Sequence, residues 1–331
     1  MDSIYWVVSR DCNQRCRHCY NDSEPGAPGL TLDEVTLAVS NFPDPAKVPV
    51  DKFMLSGGEV LVWPELFFHT LATISARYGN RPELMIQTNG DLLDEPTLVK
   101  ILDHGVSRVS VASQDDYHLP RSKQRRQYLE DLFVAHGLGT SDWPEFRPPE
   151  NRQPLYSFWG ATPDMWIGKL WPRGRARHYN LSQAGPDDNF CGNWSGAKDF
   201  LNYHEQSCQL ALQLADVYPC CPMTCRPIGS ALTENLIDML DRCAKHPAYR
   251  ALNEGKPEKM GEYLGLSEDH GFRRSAELGN HCLWCDEFFT QHAPDLLHQA
   301  PSKTARQGID LTIRGNKYRN AQHALAELHA R

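Results

Sequence analysis

Several things are missing from this 331-residue chain, and each absence excludes something. No apolar run approaches the roughly 20 residues that a membrane-crossing helix needs. The N-terminal "MDSIYWVVSR" has neither a basic n-region nor a long apolar h-region, so no secretory signal is expected and the chain reads as cytoplasmic. A basic surplus is lacking too. The net charge is −8, which argues against a nucleic-acid or anionic-membrane partner, and the local cluster "RSKQRR" (121–126) reads as a solvated helix face. There is no internal repeat and no low-complexity tract. With 40% hydrophobic and 23% charged residues, the chain has the composition of a globular protein that can bury a sizeable core.

Cysteine is plentiful instead. Eleven cysteines, an odd number, do not suit a disulfide framework in a reducing compartment. Their clustering points to metal or redox chemistry, while an isolated one such as Cys243 reads as a small buried apolar residue. Three fall within eight positions in "DCNQRCRHCYND", at Cys12, Cys16 and Cys19, with no fourth nearby. A structural zinc site needs four closed ligands. Three thiolates on a cubane cluster instead leave one iron open to a substrate or cofactor. Spacing alone leaves both zinc and iron–sulfur open.

The first 140 residues alternate apolar runs with helical stretches. "IYWVVS" (4–9) precedes "LTLDEVTLAVSNF", where Thr31 and Glu34 form a capping box. "KFMLS" (52–56) precedes "PELFFHTLATISARYG", "ELMIQTNG" (83–90) precedes "EPTLVKILDHG", and "RVSVAS" (108–113) precedes "KQRRQYLEDLFVAHG". Strands this continuously apolar predict a parallel sheet covered by helices, with ligands at the carboxyl ends of the strands. The three-cysteine loop follows the first strand directly. "SDWPEFRPPENRQP" reads as a loop or crossing segment, and residues 154–179 offer one or two more strands. Helices are expected near 232–245 and at 318–331.

The motifs resemble the radical S-adenosylmethionine superfamily. C-x3-C-x2-C followed by the aromatic Tyr20 is similar to its signature loop, and "LSGGEV" supplies Ser56, Gly57, Gly58 and Glu59 after the second strand. "QTNG" and "SVASQDDYH" also look like the family, over roughly residues 1–135. The resemblance implies an α/β fold: a partial (β/α)6 TIM-like barrel with a small C-terminal cysteine-rich α+β twitch-like domain. It divides the chain into a barrel at 1–180, an auxiliary-cluster domain at 181–300 and a helical tail at 301–331. It also implies a [4Fe–4S] cluster on Cys12, Cys16 and Cys19, chelated S-adenosylmethionine, and reductive cleavage to a 5′-deoxyadenosyl radical that abstracts hydrogen.

On this resemblance the two glycines let backbone carbonyls approach the cofactor ammonium. Glu59 supplies an acceptor or a helix-entry contact. Asn89 and Ser113 reach the ribose or carboxylate, and Arg173 or Arg175 of "WPRGRARH" pairs with the carboxylate. Asp115, Asp116 and His118 either bind cofactor or substrate or simply begin a helix. "CQLALQLADVYPCCP" with the later "CLWC" is similar to the SPASM/twitch subgroup and implies one auxiliary [4Fe–4S] cluster on Cys208, Cys220, Cys282 and Cys285. Cys221 stands as an alternative to Cys220, Cys191 and Cys225 are spare candidates, and zinc is the alternative metal. Ala215 replaces the glycine expected in the hairpin turn.

The expected substrate is a small molecule undergoing oxidation or rearrangement, with a peptide substrate or a non-enzymatic zinc protein as alternatives. Many relatives that act on peptides carry an N-terminal peptide-recognition domain. This chain starts within five residues of its first strand, so none is expected. A flavodoxin or ferredoxin is the expected reductant. Trp159, Trp166 and Trp171 read as packing.

Overall fold

The strands expected within 52–56 and 83–90 form where the apolar runs lie, and so do their neighbours. The computed structural model describes residues 1–297 apart from 114, 119–122, 141–145, 163–168, 194, 206 and 224–225. The expected helix at 318–331 and the tail at 301–331, with Cys225 and Trp166, lie outside the described residues.

β1 (Ser3–Val7), β2 (Lys52–Ser56), β3 (Glu83–Thr88) and β4 (Val106–Ala112) pair in parallel, in that spatial order. Each is followed by a helix: α1 (Leu32–Ser40), α2 (Pro64–Tyr78), α3 (Glu95–Asp103) and α4 (Lys123–Ala135). Local chemistry fixes the helix starts. The Thr31–Glu34 capping box forms in full, and Asp94 accepts from the Thr97 amide at 3.0 Å.

The strands are buried on both faces. Ile4 and Trp6 of β1 face the helices, where Trp6 meets Phe42 edge-on at 5.0 Å, while Tyr5 and Val7 face inward with Met54, Met85 and Ala211. Each fully buried Leu, Ile or Phe of the outer layer adds about 1.5–3 kcal/mol. The inner layer is thinner and leaves room for a site.

Beyond β4 the order departs from simple succession. β6 (Leu155–Trp159) takes the place beside β4, and the two-residue β5 (Gly139–Thr140) sits outside it. Arginine anchors in the segment leading into β6 explain this. Arg147 pairs at 2.5 Å with the fully buried Glu83, which also holds Arg108 at 2.8 Å, and Arg152 donates to the carbonyls of Asn80 and Pro82. The segment 147–153 is thereby tied to the start of β3, so the next strand enters next to β4.

The C-terminal half adds to the same sheet. β7 (Gln209–Gln213) pairs in parallel with β1, and β8 (Asp216–Tyr218) and β9 (Gly229–Ser230) continue antiparallel. The hairpin turn manages without the missing glycine because Leu214 takes φ +55°, pinned by its carbonyl accepting from Trp6 Nε1 at 2.8 Å. α5 (Gly174–His178) lies ahead of this hairpin. α6 (Leu236–Ala244), α7 (Pro247–Asn253), α8 (Glu268–Leu278) and α9 (His281–Glu287) follow it. Met1–Gln299 form one compact unit. No helix among the described residues is long and apolar enough to cross a membrane.

Candidate cluster and cofactor site

The loop after β1 is built around its cysteines. Ser9 bridges to Gly29 and Asp11 to Glu24, so residues 12–23 are held as a closed excursion. Inside it the Gln14 amide donates to Cys12 Sγ at 3.4 Å and the Ser23 amide to Cys19 Sγ at 3.3 Å. The loop is tied to the end of β3 through Asp91, which accepts from Asn13 at 3.0 Å and Gln14 at 2.5 Å. Asn89 donates to Asn13 Oδ1 at 2.7 Å.

Cys12, Cys16 and Cys19 all line one cavity of about 1060 Å³ at the carboxyl ends of the parallel strands. Burial pushes the Cys12 and Cys16 thiols up to about 12, and the neighbouring thiols add to it. Without a bound cation, three thiolates here would be uncompensated.

The expected cofactor residues divide into those that line this cavity and those that shape it. Tyr20, Ser56, Gly57, Gly58, Asn89 and Arg175 line it. Tyr20 Oη lies 3.0 Å from Tyr5 Oη, and its ring meets Trp171 edge-on at 4.9 Å. Glu59 and Ser113 do not line it. The buried Glu59 carboxylate accepts from Thr88 Oγ1 at 2.7 Å and from the amides of Asn89 at 2.6 Å and Leu61 at 3.1 Å, which fixes the end of β3. Ser113 donates to the Asn89 carbonyl at 3.4 Å.

Gly57 and Gly58 are needed by the chain itself. A Cβ on Gly58 would stand 2.2 Å from the Asp11 carbonyl, and one on Gly57 would stand 2.7 Å from that of Ser9. Close approach is what lets the amides of Gly58 and Glu59 donate to Ser9 and Asp11 at 2.8 and 2.9 Å.

Arg175 does not reach outward as a free fork. Its Nε donates to the Cys16 carbonyl at 2.8 Å and its Nη2 donates to that of Ser23, so the guanidinium braces the cysteine loop. Arg173 pairs instead with Asp286 at 3.2 Å.

Asp115 and His118 line the cavity and Asp116 does not. His118 Nδ1 lies 2.8 Å from Asp115 Oδ1, and ligand atoms of His18, Asp115 and His118 gather within 4.8 Å of one another. Burial opposes ionisation of Asp115, but His118 outweighs it and holds the carboxyl below its ordinary range. Sequence reasoning missed Gln14, Gln87 and Asp91. Only the position of Gln14 inside the loop and of Asp91 beside "QTNG" hinted at them. Trp159 and Trp171, read as packing, also face the cavity.

Comparison with known proteins fits this geometry. A family model described as the Radical SAM superfamily matches residues 6–133. Residues 6–133 resemble a radical SAM domain. It is 28% identical over 111 residues to an AdoMet-dependent heme synthase of Oleidesulfovibrio alaskensis, a stretch of 33% of this chain. The chain spans only about a quarter, 27%, of that relative's length. Among solved structures it is similar to BtrN in complex with AdoMet and 2-DOIA, with TM-score 0.51, 16% identity, and 81% of this chain and 90% of that one covered. Native anSMEcpe with bound AdoMet aligns over 89% of this chain and 98% of that one, with 16% identity and TM-score 0.45. The fold shared with BtrN bears out the α/β partial barrel.

A radical SAM domain works with a [4Fe–4S] cluster and S-adenosylmethionine, and the donor set fits both. Three thiols of one loop open into the cavity, two of them already accepting backbone N–H bonds of the kind that tune cluster sulfurs. The Ser56–Gly58 backbone and Asn89 line the same cavity.

The Glu59 carboxylate also makes a stability prediction. Glu59→Gln keeps the shape but replaces one accepting oxygen with a donor facing other donors. It is expected to cost about 1–3 kcal/mol, read as a lower Tm, with some loss of cofactor affinity as the end of β3 loosens.

Proposed function

We propose that the protein is a radical enzyme that cleaves S-adenosylmethionine reductively and abstracts hydrogen from a small molecule, in a net oxidation or a rearrangement. In this reading residues 1–180 carry the radical chemistry, 181–300 carry a twitch-like domain with one auxiliary [4Fe–4S] cluster, and 301–331 form a helical tail. A flavodoxin- or ferredoxin-type protein supplies the electron. When bound, the cluster supplies that electron to the sulfonium.

The observation that carries the reading is the shared cavity. Three thiols, the Ser56–Gly58 wall and the Asp115–His118 pair open into one space of about 1060 Å³. Ligand sites commonly hold about 300–1,000 Å³, so this one has room for a cofactor and a second small molecule together. Tyr5, Gln87, Ser110 and Ser157 place polar groups along the lining, and Met54, Met85 and Trp171 add apolar surface that disfavours water. Exclusion of water is what a carbon radical requires. BtrN, whose fold is similar, is described with AdoMet and 2-DOIA, which is in keeping with a small substrate.

The test is direct. Anaerobically reconstituted protein, reduced with dithionite or flavodoxin, is expected to convert S-adenosylmethionine to methionine and 5′-deoxyadenosine. It should also hold about eight irons per chain, four for each cluster. Failure to release 5′-deoxyadenosine from iron-loaded protein would sink the reading. Iron near half that value, with zinc making up the balance, would leave the radical chemistry and remove the auxiliary cluster.

A further inference from the structure

The hairpin pattern implies Cys208 as the first auxiliary ligand, but the structure turns its thiol elsewhere. Side chains alternate along β7. Gln209 and Ala211 face the inner layer, where Gln209 Nε2 donates to Cys221 Sγ at 3.4 Å. Leu210 and Leu212 face the outer core, and Cys208 shares their face. Its thiol donates to the Phe200 carbonyl at 3.2 Å. The charges that reach it are the chain's terminal ammonium, Asp2 and Asp199, and no cysteine is among them.

Cys191 is placed quite differently. The segment around it is clamped between the end of the β7–β8 hairpin and the start of α9. Asn280, the N-cap of α9, donates to the carbonyls of Gly185 at 2.7 Å and Asp188 at 3.1 Å. The Cys221 amide donates to the Ser195 carbonyl at 2.9 Å, and the Lys198 amide to that of Cys191 at 2.9 Å. The turn is tight enough that a Cβ on Gly196 would lie 2.7 Å from Cys191 Cα. The thiols of Cys282 and Cys220, then Glu258, are the groups that act on the Cys191 thiol. Cys285 follows Cys282 by three residues on α9, on the same side of the helix. Cys221 lines the main cavity instead.

From this placement we infer that Cys191, and not Cys208, joins Cys220, Cys282 and Cys285 as the ligands of the auxiliary cluster. The inference rests on the auxiliary cluster of the proposed function and names its ligands. It also separates the adjacent pair: Cys220 turns to the cluster and Cys221 to the substrate cavity.

The test uses the full chain with Cys12, Cys16 and Cys19 all replaced by alanine, so that any iron bound is auxiliary. Reconstituted with iron and sulfide, this protein is expected to keep about four irons. Adding Cys208→Ser should leave the iron content, the absorbance and the EPR spectrum of the reduced cluster unchanged. Adding Cys191→Ser should remove most of the iron. Cys191→Asp, which restores an anionic ligand, should recover iron with a shifted EPR spectrum, and this separates ligand loss from misfolding. Iron retained with an unshifted spectrum in both Cys191 variants, or lost from a Cys208→Ser protein of unchanged circular dichroism, would overturn the assignment. Absence of iron from the starting protein would instead overturn the auxiliary cluster, before either residue is varied.

Discussion

Alanine at Cys12, Cys16 and Cys19 together is expected to abolish release of 5′-deoxyadenosine while leaving the chain folded. The two halves of that expectation have separate causes. Chemistry is lost because no other described cysteine except Cys221 lines the cavity, and one thiol cannot hold a cluster. The fold is kept because the loop has anchors besides the bonds that its thiols make to Gln14 and Ser23. It is held by the Asp91 contacts to Asn13 and Gln14, by the 2.6 Å pair of Arg15 with Glu24, and by the guanidinium of Arg175 on the Cys16 carbonyl. Of these, the exposed Arg15 pair adds little, and the buried Arg175 contacts carry more. Liquid chromatography of reduced, anaerobic reactions measures the first half, and circular dichroism with Tm measures the second. Residual cleavage at the wild-type rate would remove the cluster from this loop altogether.

The four strand–helix repeats were legible because their strands are buried on both faces, and so run as unbroken apolar stretches with helix caps between them. The three cysteines and the Ser56–Gly58 turn were legible for a related reason: each sits at a strand end, where the sheet topology brings residues together. What lay beyond reading depended on side chains distant in sequence. The exchange of β5 and β6 follows from Arg147 and Arg152 reaching the start of β3, and nothing local in "EFRPPENRQP" announces it. Arg175 is expected on a cofactor carboxylate, and the two loop carbonyls that it braces from the cavity lining could not be foreseen. The face taken by Cys208 is an intermediate case. The alternation in "CQLALQ" was there to be read, but the hairpin spacing gave no reason to apply it. The glycines were expected from a resemblance, as room for a cofactor, whereas the approach of Ser9 to Gly57 and of Arg10 and Asp11 to Gly58 requires them for the chain's own contacts.

That last point makes the glycines a sharper probe of the site than the residues that face it. Gly58→Ala places a methyl 2.2 Å from the Asp11 carbonyl and 2.7 Å from that of Arg10, and both obstacles are backbone. Neither can rotate away, so the loop must move. Moving it breaks the bonds from the Gly58 and Glu59 amides to Ser9 and Asp11. Two such bonds are worth about 1–3 kcal/mol together, and overpacking adds about 1–3 kcal/mol more. A domain of ordinary stability, about 5–15 kcal/mol, survives that loss, so the damage concentrates in the loop. A shift of about 1 Å in catalytic groups can cost about a hundredfold in rate, and 5′-deoxyadenosine release is expected to fall at least that far. Gly174→Ala should act alike from the other side, since its Cβ would stand 2.6 Å from the Cys19 carbonyl at a φ of +53°. Gly79→Ala is the control. Its φ of +65° carries the same backbone strain, but nothing lies within 4 Å of its Cβ, so it should lower Tm and leave cleavage intact. Iron analysis completes the comparison: the Gly58 and Gly174 variants should lose the iron of the cysteine loop and keep the rest. Wild-type cleavage in both would mean that the loop does not hold its cysteines through these backbone contacts.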